Sequence, residues 1–118
     1  KGPVINNLMR KSSETTLFLI SATRIPAPDK GDNEIRMRKL AQMLLDAKIP
    51  YLWLNFSDGK LKDPPKNFYN LPLTLDIQNY IQKADYLVQL STRESFGNSV
   101  LEALINQVPV ICTPIPGF

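Results

Sequence analysis

The sequence of 118 residues contains no histidine and only one cysteine, and these absences exclude several kinds of site. A Ser-His-Asp triad is impossible, and a zinc site is disfavoured, because both normally use histidine. The single cysteine, Cys112, cannot form an internal disulfide, which fits a reducing compartment. Because Cys112 lies in an apolar stretch and has no histidine as a base, we expect a buried core residue rather than a catalytic thiol.

The sequence also lacks any apolar run long enough to span a bilayer, and it shows no signal peptide. No Asp-x-Asp pair is present to hold a divalent metal, so no metal site is predicted. The charge is mild, with 14 basic and 11 acidic residues and a net charge of +3. The basic residues are scattered without interleaved aromatic residues, which argues against nucleic-acid binding. We therefore expect a cytoplasmic protein with no nucleic-acid partner.

Short apolar runs alternate with segments of helical periodicity, and the length suits one packed domain. Strands are predicted at Thr15 to Thr23, Tyr51 to Phe56, Phe68 to Leu71, Tyr86 to Leu90 and Pro109 to Thr113. Helices are predicted from a cap at Asn33, from Asp76 to Lys83 and from about Asn98 to Asn106. This alternation predicts an α/β fold with a Rossmann-like doubly wound parallel sheet of about five strands.

The first predicted helix is amphipathic and ends before Pro50. Its apolar face is predicted to contain Ile35, Leu40, Met43 and Leu44. The polar side chains that we expect largely on the opposite face are those of Arg36, Lys39 and Gln42.

Two glutamates, Glu94 and Glu102, flank a helix-start signal at Gly97-Asn98. The free backbone N–H groups of a first helical turn form an anion site. Helical side chains lean toward the helix N-terminus, so Glu102 can reach back beside a ligand held there. A carboxylate on each side of a phosphate-binding turn suits a ligand with hydroxyls on each side of its phosphates, and a nucleotide sugar has that layout.

Two cations, Arg24 and Lys30, follow the first predicted strand. A guanidinium fork and a mobile ammonium at this place can clamp a diphosphate. In doubly wound sheets ligands bind beyond the carboxyl ends of the strands, at the switch point. The loops after the first and fourth strands, which carry Arg24, Lys30 and Glu94, are therefore the expected walls of the site.

Less specific interpretations of these side chains stay open. Arg24 and Lys30 can be solvated loop charges, and Glu94 and Glu102 can be a charge pair that offsets the helix dipole, worth only about 0.3–1 kcal/mol each. Ser99 can cap the helix and have no other role.

Several segments together resemble the signature of the retaining family-four glycosyltransferases of GT-B fold. They are Glu94-Ser95-Phe96-Gly97, Glu102-Ala103-Leu104 and Val108-Pro109-Val110-Ile111. Ala22-Thr23-Arg24 with Lys30-Gly31 resembles that family's Gly-Arg-Leu…Lys-Gly loop, and Val4-Ile5-Asn6-Asn7 resembles the opening of its C-terminal domain. The resemblance covers nearly the whole chain in order and spacing.

The sequence departs from the family pattern at three places. Thr23 stands where the family has a glycine before the arginine, and the loop from Arg24 to Lys30 is one residue longer than usual. Leu71-Pro72-Leu73 replaces the glycine that is usual after the third strand. The aim of Lys30 and the position of the base pocket are therefore the least defined parts of the resemblance.

The resemblance implies a role for each residue of the candidate site. It implies that Arg24 and Lys30 bind the donor diphosphate and that Glu94 contacts hydroxyls of the transferred sugar, which makes these three the implied catalytic residues. Glu102 is implied to hold the ribose. The remaining implied donor-site residues, which act mainly through backbone N–H groups facing the sugar and phosphates, are Phe96, Gly97, Asn98 and Ser99.

The resemblance further implies that residues 1–118 form one donor-binding domain, the C-terminal half of a longer GT-B enzyme of polysaccharide biosynthesis. The donor is expected to be a nucleoside-diphosphate sugar, with a UDP-sugar favoured, and no cofactor or metal is expected. A carbohydrate or glycolipid acceptor is expected on an N-terminal domain absent from these residues, in a protein that can associate peripherally with the inner face of the cell membrane. The chain alone is expected to be inactive.

Two other functions stay open at this point. The first is a non-catalytic nucleotide-binding or phosphate-binding module, because a Rossmann-like fold alone does not specify catalysis. The second is a nucleotide-sugar epimerase of GT-B fold. The absence of histidine disfavours the epimerase, since proton abstraction near neutral pH commonly uses such a base.

Overall fold

The computed structural model describes residues 16–25, 32–90 and 103–112. Its strands are β1 (Leu17–Ser21), β2 (Tyr51–Phe56), β3 (Phe68–Leu71), β4 (Tyr86–Gln89) and β5 (Val110–Cys112). Its helices are α1 (Asp32–Asp46) and α2 (Ile77–Ile81), and residues 103–105 are also helical. All five predicted strands are confirmed, and β2 and β3 have the predicted bounds. The predicted start of the last helix, near Asn98, lies outside the described residues.

The five strands form one sheet in the order β3-β2-β1-β4-β5, and every neighbouring pair is parallel. Ile20, at the centre of the sheet, is aligned with Leu54 of β2 on one side and Leu87 of β4 on the other. The chain therefore adds β2 and β3 on one side of β1 and then places β4 and β5 on the other side. This confirms the predicted α/β, Rossmann-like, doubly wound sheet, whose switch point lies between β1 and β4.

Side chains that alternate along the strands build a separate core on each face of the sheet. One face packs mainly against α2 and the segment that contains Ala103, and its buried residues include Phe18, Ile20, Leu52, Leu54, Phe56, Ile81 and Leu87. The other face packs against α1 and Leu61, and its buried residues include Leu19, Met37, Ala41, Leu44, Trp53, Phe68 and Val88. Both faces of the central strands are thus covered, which is why these strands read as continuous apolar runs.

The predicted apolar face of α1 is partly wrong. Leu44 is buried as expected, but Ile35 is 64% exposed and Met43 is 58% exposed. The stripe that packs on the sheet is Met37, Ala41 and Leu44, which follow one another at helical spacing of four and three residues. On a helix, Ile35 lies about 160° around the axis from Met37, and Met43 lies about 100° from Leu44, so both side chains are outside this stripe.

The polar start of α1 also differs from the prediction. The helix begins at Asp32, so Asn33 is the second helical residue rather than the cap, and it is buried. Lys39 and Gln42 are exposed as predicted, whereas Arg36 is half-buried and contacts the end of β4. In α2, Asp76 occupies the predicted N-cap position, but its side chain makes no capping hydrogen bond.

Candidate functional site

The switch point brings together the carboxyl ends of β1 and β4. Leu19 and Ile20 of β1 are paired with Tyr86 and Leu87 of β4, so both strands end at the same edge of the sheet. The chain leaves β1 towards Arg24 at this edge. The two loops predicted as site walls therefore depart from neighbouring strands.

Arg24 is exposed, whereas both of its neighbours in the chain are buried. Thr23 is only 3% exposed, and Ile25 contributes to the core beneath α1. Within the part of the chain that the structure describes, the Arg24 guanidinium has no hydrogen-bond or ion-pair partner. An exposed guanidinium on a residue with two buried neighbours can bind an anionic ligand at the sheet edge.

A buried polar network lies directly beneath Arg24, at the carboxyl ends of β1 and β2. The indole Nε1–H of Trp53 donates to Ser21 Oγ at 2.9 Å, and Ser21 Oγ donates to Asn55 Oδ1 at 2.6 Å. Asn55 Oδ1 also accepts the backbone N–H of Thr23 at 2.9 Å, and Asn55 Nδ2 donates to the Thr23 carbonyl oxygen at 3.1 Å. Burying polar atoms is unfavourable unless they are hydrogen-bonded, and these hydrogen bonds offset that cost for the atoms of the network.

One polar atom in this region is not satisfied. Among the described residues, Thr23 Oγ1 is buried and has no hydrogen-bond partner. An unpaired buried hydroxyl costs about 1–3 kcal/mol, and such groups are uncommon in native proteins. Thr23, which stands where the resemblance has a glycine, therefore carries a buried hydroxyl without a partner among the described residues.

A second cation, Arg36, reaches the same edge of the sheet from α1. Its Nε donates to the Leu90 carbonyl oxygen at 2.6 Å, and its Nη2 donates to Asn33 Oδ1 at 3.1 Å. Leu90 directly follows β4, so this hydrogen bond connects α1 to the carboxyl end of β4. The sequence predicted Arg36 largely on the polar face of α1, so this role was not foreseen. The available signal was an asparagine three residues earlier, on the same side of the helix.

The remaining predicted site residues lie outside the described residues. They are Lys30, Glu94, Phe96, Gly97, Asn98, Ser99 and Glu102. Arg24 is thus the one predicted site residue that the structure describes. Within residues 16–25, 32–90 and 103–112, no group of three or more metal-ligating side chains comes together. No helix in those same ranges has both the length and the apolar character needed to cross a membrane.

Residues 68–118 match the model of the family described as Glycosyl transferases group 1. The matched segment begins at β3 and contains α2, β4 and β5, and its sequence includes Glu94 and Glu102. It spans less than half of the chain. No curated protein matches the chain. The family match supports glycosyl transfer as the chemistry, with a nucleotide-sugar donor and an acceptor as its substrates.

Proposed function

We propose that this chain is the donor-binding part of a retaining GT-B glycosyltransferase. The reaction breaks the bond between the anomeric carbon of a sugar and a nucleoside diphosphate. It forms a bond from that carbon to an acceptor oxygen, with the anomeric configuration kept, and it releases the nucleoside diphosphate together with the proton of the acceptor hydroxyl. A second domain of the enzyme is proposed to bind the acceptor.

The observation that carries this proposal is the exposed Arg24 at the switch point, next to the strand that leads into the family-matched Glu94 loop. Ligands of doubly wound sheets bind at this place. A guanidinium there is positioned to meet an anion, and a diphosphate is the anionic part of a nucleotide sugar. The family match and the fold therefore favour the same ligand class.

The proposed roles divide the donor between the two loops. Arg24 and Lys30 neutralise the charge that develops on the departing diphosphate, which is the main electrostatic demand of the reaction. Glu94 accepts hydrogen bonds from the sugar hydroxyls, and Glu102 accepts them from the ribose. The first turn of the helix predicted to follow Gly97 receives the phosphates.

We propose that donor binding needs no divalent metal, because two cationic side chains occupy the first loop and the sequence has no Asp-x-Asp pair. Ligand-observed NMR with UDP, GDP, ADP and their sugar conjugates, recorded in EDTA, tests this directly. We expect saturation transfer to at least one nucleoside diphosphate, with UDP favoured. Binding that appears only after Mg²⁺ or Mn²⁺ is added contradicts the metal-independent account.

A matched pair of variants separates the proposed site from nonspecific charge effects. Arg24→Ala is expected to weaken nucleoside-diphosphate binding. Lys39→Ala, which removes an exposed cation from the outer face of α1, is expected to leave binding unchanged. If binding depends on phosphate alone and a sugar-linked nucleotide gains nothing over inorganic pyrophosphate, the chain is a phosphate-binding module instead.

A further inference from the structure

The side chain of Asn55 holds the backbone of Thr23 from both sides of that residue. Asn55 Oδ1 accepts the Thr23 N–H at 2.9 Å, and Asn55 Nδ2 donates to the Thr23 carbonyl oxygen at 3.1 Å. The paired register of β1 and β2 ends at Ser21 and Asn55. The amide therefore replaces the backbone partner that a longer β2 would have provided to the chain beyond β1.

The orientation of this amide follows from groups that cannot exchange their roles. The Thr23 N–H can only donate and the Thr23 carbonyl can only accept, so Oδ1 must face the first and Nδ2 the second. Trp53 Nε1–H can only donate and occupies Ser21 Oγ, which leaves the Ser21 hydroxyl proton to bind Asn55 Oδ1. Asn55 is fully buried, so water does not compete for these contacts.

The hydrogen bonds between Asn55 and Thr23 also restrict the backbone at Arg24. The carbonyl that Asn55 holds belongs to the peptide unit between Thr23 and Arg24, and a peptide unit is planar. Holding that carbonyl fixes the direction in which the chain enters Arg24. Buried Ile25 fixes the chain on the other side. The only long side chain between these two anchors is the exposed guanidinium.

We propose that Asn55 is a positioning residue for nucleotide binding: it orders the Thr23–Arg24 peptide so that the backbone of Arg24 needs no further ordering when the guanidinium binds the diphosphate. This inference rests on the proposed function, because it gives Arg24 a diphosphate ligand. Preorganised groups bind more tightly because less conformational freedom is lost on binding. Asn55 itself does not touch the ligand.

The test compares two substitutions in the same buried network. Asn55→Leu keeps the number and branching of the side-chain heavy atoms but removes both hydrogen bonds to Thr23 and the one from Ser21. Ser21→Ala removes the bonds of the hydroxyl to Asn55 and Trp53 but leaves both bonds to Thr23. We expect Asn55→Leu to raise the dissociation constant for the bound nucleoside diphosphate, measured by calorimetry, on the order of tenfold. Ser21→Ala is expected to change it less than about twofold, although both substitutions lower the melting temperature.

A double-mutant cycle distinguishes positioning from general damage to the fold. In an Arg24→Ala background, Asn55→Leu is expected to change the dissociation constant less than about twofold, because the guanidinium that it positions is gone. If the two losses multiply instead, Asn55 acts independently of Arg24 and the inference is wrong. Asn55→Ser, which keeps a polar side chain, provides the same cycle if Asn55→Leu does not fold.

The possible failures are distinct. If the unsubstituted chain binds no nucleotide, both the proposed function and this inference are contradicted. If it binds and Arg24→Ala weakens binding, but Asn55→Leu and Asn55→Ser do not, the proposed function stands and only the positioning role is lost.

Discussion

Arg36 donates a hydrogen bond from Nε to the carbonyl oxygen of Leu90 at 2.6 Å, and this contact joins α1 to the end of β4. The same guanidinium holds Asn33 Oδ1 at 3.1 Å, so its fork engages two acceptors at once. The loop that carries Arg24 leads into α1, and the loop that carries Glu94 begins just after Leu90. The two proposed walls of the site are thus connected by a single side chain as well as by the sheet.

Replacing Arg36 by lysine tests this connection. An ammonium is a point donor and cannot hold the Leu90 carbonyl and Asn33 Oδ1 in the fork geometry of a guanidinium. Hydrogen bonds to charged groups contribute about 1.5–3 kcal/mol. We therefore expect Arg36→Lys to lower the free energy of unfolding by about 1–2 kcal/mol in urea denaturation.

Arg38, two residues further along α1, is the matched control. It also donates to backbone carbonyls, those of Lys62 and Asp63, but it is exposed to solvent. Arg38→Lys is expected to cost less than about 0.5 kcal/mol, as exposed substitutions usually do. Equal losses for the two variants would show that burial at the sheet edge gives Arg36 no special role in stability.

Thr23 provides a prediction of opposite sign. Its buried Oγ1 has no partner among the described residues, so Thr23→Val removes an unpaired hydroxyl while keeping the shape of the side chain. We expect the free energy of unfolding to rise by about 1 kcal/mol. Ser21→Ala, which removes a hydroxyl with two partners, is expected to lower it. A loss of stability in Thr23→Val would mean that the hydroxyl finds a partner in solution.

The strands were predictable because the sheet buries them on both faces. A parallel strand such as β2, with all six residues buried, is expected to be a short and mostly apolar run bounded by turn residues. Loop residues that flank Pro50 and Pro64-Pro65 mark the ends of these runs. The alternation of such runs with helices restricts the topology to a few choices, of which the doubly wound sheet is one.

The polar contacts of the site were not predictable in the same way. Ser21 and Thr23 meet Asn55 across more than 30 residues of sequence, and nothing in the local pattern of β2 distinguishes a buried asparagine from an exposed one. Arg36 illustrates a related limit. A charged side chain is normally predicted to be exposed, but it can be buried where a carbonyl oxygen accepts its hydrogen bond. Local periodicity predicts that the candidate site lies at the switch point, whereas long-range packing decides which side chains surround it.

Two helices end in the same way, with a residue other than glycine in the left-handed conformation. After α1, Lys48 has φ 59°, its N–H donates to the Leu45 carbonyl, and the Ile49 N–H donates to the Leu44 carbonyl. After residues 103–105, Gln107 has φ 60° and the equivalent bonds run to Leu104 and, from Val108, to Ala103. Both are Schellman motifs, which usually place glycine at this position. 

Glycine at these two positions should therefore stabilise the fold. We expect Lys48→Gly and Gln107→Gly each to raise the free energy of unfolding by about 0.5–1 kcal/mol, because glycine has no Cβ to clash in the left-handed region. Lys39→Gly, at an exposed position in the interior of α1, is the control and should lower the free energy of unfolding by about 1 kcal/mol. Thermal or urea unfolding of the three variants measures the difference, and a loss of stability in all three would contradict the prediction.

Tyr51, the first residue of β2, makes the free energy of unfolding depend on pH. Burial raises the pKa of its phenol above the ordinary value of 10.0, and the hydroxyl donates to the Lys66 carbonyl. The unfolded chain then loses this proton at a lower pH than the folded chain. The contribution of Tyr51 to the free energy of unfolding is therefore fully present below the pKa of the unfolded chain. It is lost as pH rises through the folded pKa. Tyr51→Phe is expected to show a shallower loss of stability than the unsubstituted chain above about pH 10; parallel curves would contradict this.

Glu94 and Glu102 give the sharpest test of the proposed function. If Glu102 holds the ribose, Glu102→Ala should weaken binding of the free nucleoside diphosphate about tenfold, the effect of one lost hydrogen bond to a charged group. If Glu94 contacts only the transferred sugar, Glu94→Ala should leave that dissociation constant nearly unchanged. The same substitution should weaken binding of the sugar-linked nucleotide, because only that ligand carries the sugar hydroxyls. Calorimetry with each ligand against each variant gives four dissociation constants. Equal effects of both substitutions on the free nucleotide would show that the two carboxylates do not divide the donor between ribose and sugar.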